Sequence, residues 1–181
     1  QLGHLGEELA KYGKRVLITY GGGSIKKTGL YDKAIAEIQK AGLEVFELSG
    51  IEPNPRIGSV RKGAGMCKEH NIDVLLAIGG GSTIDATKWI AAGACVEHDP
   101  WDFFVKGAVV EKALPIVTIL TLAATGSEMN FGGVISNPET QDKLAASSQL
   151  LFPKASFLNP EVTYTVSKYQ TACGSADILS H

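Results

Sequence analysis

The sequence predicts an α/β protein built on a doubly wound parallel sheet. Three observations carry that class. Strand-like apolar runs alternate with helical periodicities three times over in the first half of the chain. Two of the runs, Arg15 to Tyr20 and Val74 to Ile78, are followed by Gly-Gly-Gly-Ser. And 181 residues at 44% hydrophobic composition can bury one good core of this kind, or one domain with the start of another.

The elements follow in order. Leu2, Leu5, Leu9 and Tyr12 repeat at helical spacing with Gly13 as the stop, so a short helix opens the chain. Arg15 to Tyr20 is the first complete strand. A helix from Leu30 to Ala41, with Tyr31, Ala34, Ile35 and Ile38 inward, ends at Gly42 and leads to a strand over Glu44 to Leu48. Pro53 and Pro55 mark a loop, and Ile57, Val60, Ala64, Cys67 and His70 outline another amphipathic helix. Val74 to Ile78 has the unbroken apolar character of a parallel strand buried on both faces. From Ser82 the periodicity is helical again, through Ile84, Ala86, Thr87, Ile90 and Ala91, with Ser82 or Thr83 as the expected cap.

The second half is less regular. Glu97 to Gly107 reads as an excursion around Trp101, Phe103 and Phe104, and Ala113 to Leu122 as a further buried strand ending in a hydroxyl-rich loop, Thr121 to Glu128. Phe131 to Ser136 and Asp142 to Ala146 read as a hairpin, Ala155 to Leu158 as a short strand, and the remainder as helical segments after Asn159-Pro160. Gly174 to His181 carries neither cap nor stop, so the expectation is a chain that ends inside an element, as a piece of a longer protein.

Composition narrows the function. Lysine plus arginine number 17 against 19 acidic residues, a net charge of −2 with no basic block, which argues against a nucleic-acid partner. The first residues form no signal peptide, and no run approaches the roughly 18 apolar residues of a membrane span; a cytoplasmic protein is expected, away from membranes. Cys67, Cys95 and Cys173 are widely spaced, neither a disulfide framework nor a metal clip, and read as reduced, buried or half-buried helix residues rather than catalytic thiols.

Chemistry concentrates at the strand ends. Three glycines between a buried strand and a helix N-terminus let backbone N–H groups approach a ligand, and the helix dipole favours an anion, so a phosphate is the natural guest at Gly79, Gly80, Gly81 and Ser82. The same tetrapeptide alone also fits a tight turn that merely lets helix and strand pack. Gly21 to Ser24 repeats it after the first strand. Asp177 and His181, four apart on the last helix, share one face and offer a divalent metal a carboxylate and an imidazole, or are a chance surface pair, since a metal site needs a third protein ligand. His70, at the strand edge opposite the glycine turns, reads as a solvated or half-buried helix residue.

Taken in order, Tyr20-GGGS with Lys26 to Gly29, KEHNIDVLLAIGGGSTIDATK (Lys68 to Lys88), DPWDFF (Asp99 to Phe104), TLAATGSEMN (Thr121 to Asn130) and SADILSH (Ser175 to His181) resemble the iron-containing, group III alcohol dehydrogenases. Within them the resemblance is to the NADPH-dependent butanol dehydrogenase and aldehyde reductase branch, and it covers nearly the whole chain. It implies a Rossmann-like, dehydroquinate synthase-like dinucleotide-binding domain over residues 1–160. Residues 161–181 would then begin an all-helical metal-binding domain, with the active site in the cleft between the two.

Family roles fall on matching positions. Gly79, Gly80, Gly81 and Ser82 would hold the pyrophosphate, with Asp85 nearby in the cleft; Gly22, Gly23 and Ser24 would face the adenosine ribose. Thr121, Thr125 and Asn130 would lie along the cofactor, Lys143 would reach the nicotinamide ribose, and Asp177 and His181 would be two of four metal ligands. Asp85 and Lys143 are the expected catalytic residues. The remaining two ligands are family histidines that this sequence does not reach, so negligible turnover is expected of these 181 residues alone. The resemblance further implies a homodimer acting on a small alcohol or aldehyde, with iron or zinc as the divalent metal. NADP(H) is expected over NAD(H), because no acidic side chain follows the first strand to repel a 2′-phosphate, while Gly22, Gly23, Ser24, Lys26 and Lys27 offer donors and positive charge. Ser167 stands where the family has a proline. A dehydroquinate synthase-like lyase would need a basic phosphate clamp that is not visible here, and a nucleotide-binding module without turnover is the alternative from another class.

Overall fold

The computed structural model describes residues 2–181; Gln1 lies outside them. A helical turn over Leu2–His4 runs into α1 (Leu5–Ala10), then β1 (Arg15–Tyr20), α2 (Ser24–Lys27), α3 (Leu30–Lys40), β2 (Glu44–Leu48), α4 (Ile57–Glu69), β3 (Val74–Gly79) and α5 (Gly81–Gly93). There follow α6 (Asp102–Val105), β4 (Ile116–Leu120), the hairpin β5 (Gly132–Asn137) and β6 (Asp142–Ser147), β7 (Ala155–Phe157) and α7 (Lys168–Ser180).

The main sheet has five strands in the order β2-β1-β3-β4-β7, and every pairing in it is parallel. Alternation along the strands divides the core between the two faces. Val16, Ile18, Leu76 and Ile78 meet Leu5, Leu9, Ala34 and Ile38 from α1 and α3 on one face. Leu17 and Leu75 meet Val60 and Cys67 of α4 and Trp89 and Ile90 of α5 on the other. The sheet is therefore doubly wound, as its sequence pattern predicts.

The chain steps from β1 outward to β2 on one side and to β3 on the other, so the strand order reverses between β1 and β3. Their register, Tyr20 opposite Ile78, brings the two glycine turns out side by side at the carboxyl ends of adjacent strands. Such a reversal leaves a crevice at that edge, because the connections leave in opposite directions. His70 follows α4 and precedes β3, at the opposite edge, where its ring stacks on Phe46 with centroids 4.5 Å apart.

Local differences from the sequence reading have physical causes. The expected strand over Ala113 to Leu122 shortens to β4, where pairing with β3 spans Ile116 to Leu120. Neither Ser82 nor Thr83 caps α5: the helix starts at Gly81, with Gly80 at the cap position and no side-chain cap hydrogen bond. Cys67 is buried, but Cys95 lies in the turn after α5 and Cys173 is exposed on α7. Among the described residues no helix is long and apolar enough to cross a membrane.

Candidate active site

The amino end of α5 is where β3 delivers its glycines. With no side chain satisfying the first N–H groups, the helix presents them, and its positive dipole end, to the crevice. The glycines are most closely approached at two points. A Cβ on Gly79 would lie 2.5 Å from Thr83 Oγ1, and one on Gly81 would lie 2.5 Å from Thr125 Oγ1. Gly81 therefore sets how closely the loop after β4 approaches the turn after β3. The neighbouring turn after β1 is open: Gly22, Gly23 and Ser24 are exposed, and a Cβ at Gly22 or Gly23 would meet nothing within 4 Å.

Two cavities flank the turns. One of about 260 Å³ is lined by Ser24, Ile25, Thr28, Thr121, Leu122 and Gln170. The other, about 460 Å³, brings together Asp85, Thr125, Asn130, Gly133, Val134 and His181. Of the candidates, Ser24 and Thr121 line the first cavity and Asp85, Thr125, Asn130 and His181 the second, while Gly22, Gly23, Gly79, Gly80, Gly81, Ser82, Lys143 and Asp177 line neither.

Asp85 is half-buried one turn into α5. Its Oδ1 accepts from Ser127 Oγ at 2.5 Å and its Oδ2 from the Val134 N–H at 2.9 Å. Burial raises its pKa, and the two hydrogen bonds with the nearby Lys88 charge oppose the rise. Asn130 is engaged through Oδ1, which accepts from Lys88 Nζ at 2.7 Å and from the Gly132 N–H at 3.1 Å. Lys143 lies outside the larger cavity: exposed on β6, it donates to Asn54 Oδ1 at 2.7 Å, while the Asn54 N–H donates to Ser82 Oγ at 3.3 Å. Asn54 holds a left-handed backbone, φ 56°, and links the hairpin to the start of α5 at Ser82.

Lys26 has less free charge than its sequence position promises. Its ammonium stands 4.4 Å from the Tyr31 ring centroid and 3.6 Å from Glu47, whose carboxylate also accepts from Tyr20 Oη at 2.8 Å and from Tyr31 Oη.

Asp177 Oδ1 and His181 Nδ1 stand 3.7 Å apart. A carboxylate and an imidazole are suitable donors for iron or zinc; His181 Nδ1 lies 3.0 Å from the Asp177 carbonyl and so carries the proton, which leaves Nε2 as the ring nitrogen able to meet an ion. The pair fits the metal as a part of its ligand set; among the described residues no group of three or more His, Cys, Asp or Glu residues converges on one point. The helix that carries the pair docks at Gly174, where a Cβ would come within 2.7 Å of the Ala123 carbonyl oxygen. Around it Tyr164, Tyr169, Ile178 and Leu179 remain exposed.

Lys88 was not among the residues the sequence singled out. It is 0% exposed, and its Nζ lies within 3.1 Å of four acceptors, all in the segment from Ser127 to Gly132. Burial pushes it down to about 8, against the opposing charges of Asp85 and Glu128.

Comparison with known proteins adds the following. The profile described as "Iron-containing alcohol dehydrogenase" matches residues 1–160. A probable NADH-dependent butanol dehydrogenase of Bacillus subtilis is 57% identical over 98% of this chain and 46% of its own length. An NADPH-dependent aldehyde reductase of Escherichia coli is 44% identical over 92% of this chain and 43% of its own. The crystal structure of an NADH-dependent butanol dehydrogenase from Thermotoga maritima superposes with a TM-score of 0.97 at 44% identity, over 99% of this chain and 46% of that one. The chain thus spans about half the length of the relatives it matches.

Proposed function

This chain belongs to the iron-containing alcohol dehydrogenase family, and on that premise we propose that it forms the cofactor-binding part of a metal-dependent oxidoreductase acting on NADP(H) and a primary alcohol or its aldehyde, such as butanol and butyraldehyde. In this reading residues 1–160 are the dinucleotide-binding domain and 161–181 the beginning of a helical metal-binding domain. The observation that carries it is the larger cavity: Asp85, Thr125, Asn130 and His181, far apart in sequence, line one space, bounded by the first turns of α5, the loop after β4, the hairpin and the end of α7.

The roles are those the family resemblance implies, read onto the positions described above. Backbone N–H groups at Gly79 to Ser82 receive the pyrophosphate, with close approach made possible by the absent Cβ atoms. Ser24 and Thr121, on the smaller cavity, hold the adenosine end. Thr125 and Asn130 run along the cofactor toward the larger cavity, and Asp85 shapes that cavity by holding Ser127 and Val134. Lys143 leaves Asn54 to meet the nicotinamide ribose. Asp177 and His181 would hold iron or zinc together with ligands from beyond this chain. When bound, the nicotinamide would supply a hydride and the metal a Lewis acid toward the substrate oxygen. The protein's contribution is position and the exclusion of water.

Preference for NADP(H) belongs to the proposal and rests on the Gly22-Gly23-Ser24 turn, which carries no carboxylate. Relatives are named for NADH and for NADPH alike, and Glu47 partly neutralises Lys26, so the turn itself bears the argument. A cytoplasmic homodimer completes the reading, in keeping with three free cysteines. The test is aldehyde-dependent loss of nicotinamide absorbance by the full-length protein, with NADPH and NADH compared. Activity that falls at least a hundredfold in Asp177→Ala is expected; a protein inactive with both cofactors, or unaffected by that substitution, would overturn the proposal.

A further inference from the structure

We infer that Lys88 is a positioning residue for the larger cavity: its buried ammonium fixes the segment from Ser127 to Gly132, and through it the wall against which nicotinamide and aldehyde would meet. The inference rests on the functional reading of that cavity given above.

The geometry is specific. Lys88 Nζ donates to the Ser127 carbonyl at 2.7 Å, Asn130 Oδ1 at 2.7 Å and the Gly132 carbonyl at 2.9 Å, with Ser127 Oγ at 3.1 Å. An ammonium has three N–H groups, so the four acceptors share its full donor capacity. Its partners are Ser127 and Asn130, in the irregular segment between β4 and β5, and Gly132, the first residue of β5; none belongs to the five-stranded sheet. Before β5 the segment contains one helical turn, over Ser127–Met129, entered at Gly126 with φ 68°; Ser156 Oγ donates to the Glu128 carbonyl and the Ser148 N–H to the Phe131 carbonyl, while Lys88 holds Ser127, Asn130 and Gly132.

Asp85, three residues earlier on the same helix, holds the same segment from its other side. Ser127 Oγ stands between the two, accepting from Lys88 and donating to Asp85, and the second Asp85 oxygen takes the Val134 N–H. A helix whose first turn faces the phosphate site thus uses its next turn to set the cavity wall, so the two ends of the cofactor site share one rigid element. The charge is costly to bury, and an aliphatic side chain would fill the same core volume. Its spending on this one segment points to function in the segment rather than to stability of the sheet.

The test uses full-length Lys88→Met, with Ser127→Ala as a milder cut that leaves the Ser127 carbonyl in place. Steady-state aldehyde reduction is compared with the binding of ADP-ribose, which reaches the glycine turns but lacks the nicotinamide. Lys88→Met should lower kcat at least tenfold and keep the ADP-ribose dissociation constant within threefold; Ser127→Ala should show the same split at three- to tenfold in kcat. Unchanged kcat in both variants, or ADP-ribose binding lost in parallel with kcat, would overturn the inference. Hydrogen exchange separates its failure from failure of the functional reading. Even in a protein without aldehyde reductase activity, the Gly132 and Val134 amides should exchange at least tenfold faster in Lys88→Met while those of Val117 to Ile119 do not. Unchanged exchange at Gly132 and Val134 would refute the positioning role itself.

Discussion

Replacing Gly81 by alanine separates the fold from the phosphate site. The new Cβ would lie 2.5 Å from Thr125 Oγ1 and 3.4 Å from Thr125 Cγ2. Thr125 is exposed, so its side chain can turn away at a cost of about 0.5–1.5 kcal/mol if it leaves its preferred rotamer. Alanine in place of glycine at a helical position returns about 0.5–1 kcal/mol. Stability should therefore stay within about 1 kcal/mol of the parent. Binding should not. The methyl group stands among the amides proposed to receive the pyrophosphate, and losing one or two charge-assisted hydrogen bonds at about 1.5–3 kcal/mol each weakens NADPH by one to four orders of magnitude. Calorimetry on the full-length protein gives the affinity and urea unfolding the stability; Gly81→Ala/Thr125→Ala shows whether the clash or the methyl group itself is responsible. A dissociation constant within threefold of the parent, in a folded variant, would refute the phosphate assignment.

Gly133→Ala tests how β5 lies on α5: its Cβ would come 2.9 Å from Trp89 Nε1 and 3.2 Å from Asp85 Cβ, so urea unfolding should show a loss of about 1–3 kcal/mol. Thiol labelling under native conditions should modify exposed Cys173 first, Cys95 slowly and buried Cys67 only on unfolding. Burial pushes the Cys67 thiol up to about 12. Its unfolded value is about 8.5, so above that pH the native state holds the proton that the unfolded chain releases, and stability falls by up to about 1.4 kcal/mol per pH unit until the folded value is reached. Cys67→Val should remove that part of the alkaline slope in urea titrations at pH 8 and pH 10. Ser24→Asp should weaken NADPH at least tenfold while leaving NADH within threefold, since the new carboxylate would face the 2′-phosphate; equal losses would show that the turn does not read the ribose.

The parts of the fold governed by period were legible in the sequence. β1 and β3 are buried on both faces and therefore read as unbroken apolar runs, and α3 and α4 each keep one apolar stripe. The two glycine turns were visible as well, but their adjacency depends on the strand order, which no local pattern encodes. The cap on α5 was misread because Ser82 and Thr83 are good capping residue types, whereas the helix begins before them and leaves its amides free. Lys88 was passed over because a lysine on a helix ordinarily marks a solvated face. The available signal was that α5 has no such face: Ile84, Ala86, Trp89, Ile90, Ala91 and Ala92 surround it, and a helix apolar all round is buried, so its lysine had to find partners inside. The Ser127 to Gly132 segment is aperiodic, and its shape is set by those side-chain contacts. Cys173, expected as a buried or half-buried helix residue, is exposed on α7.

Hydrogen exchange of the full-length protein with and without NADPH tests the central claim, that the strand-end loops at the β1/β3 reversal form the dinucleotide site. Slowed exchange should concentrate in Gly21 to Ser24, Gly79 to Thr83 and Thr121 to Asn130, with the hairpin tip at Glu139 to Gln141 and the opposite sheet edge at His70 to Asp73 unchanged. Protection absent from the three loops, or centred on that opposite edge, would contradict it.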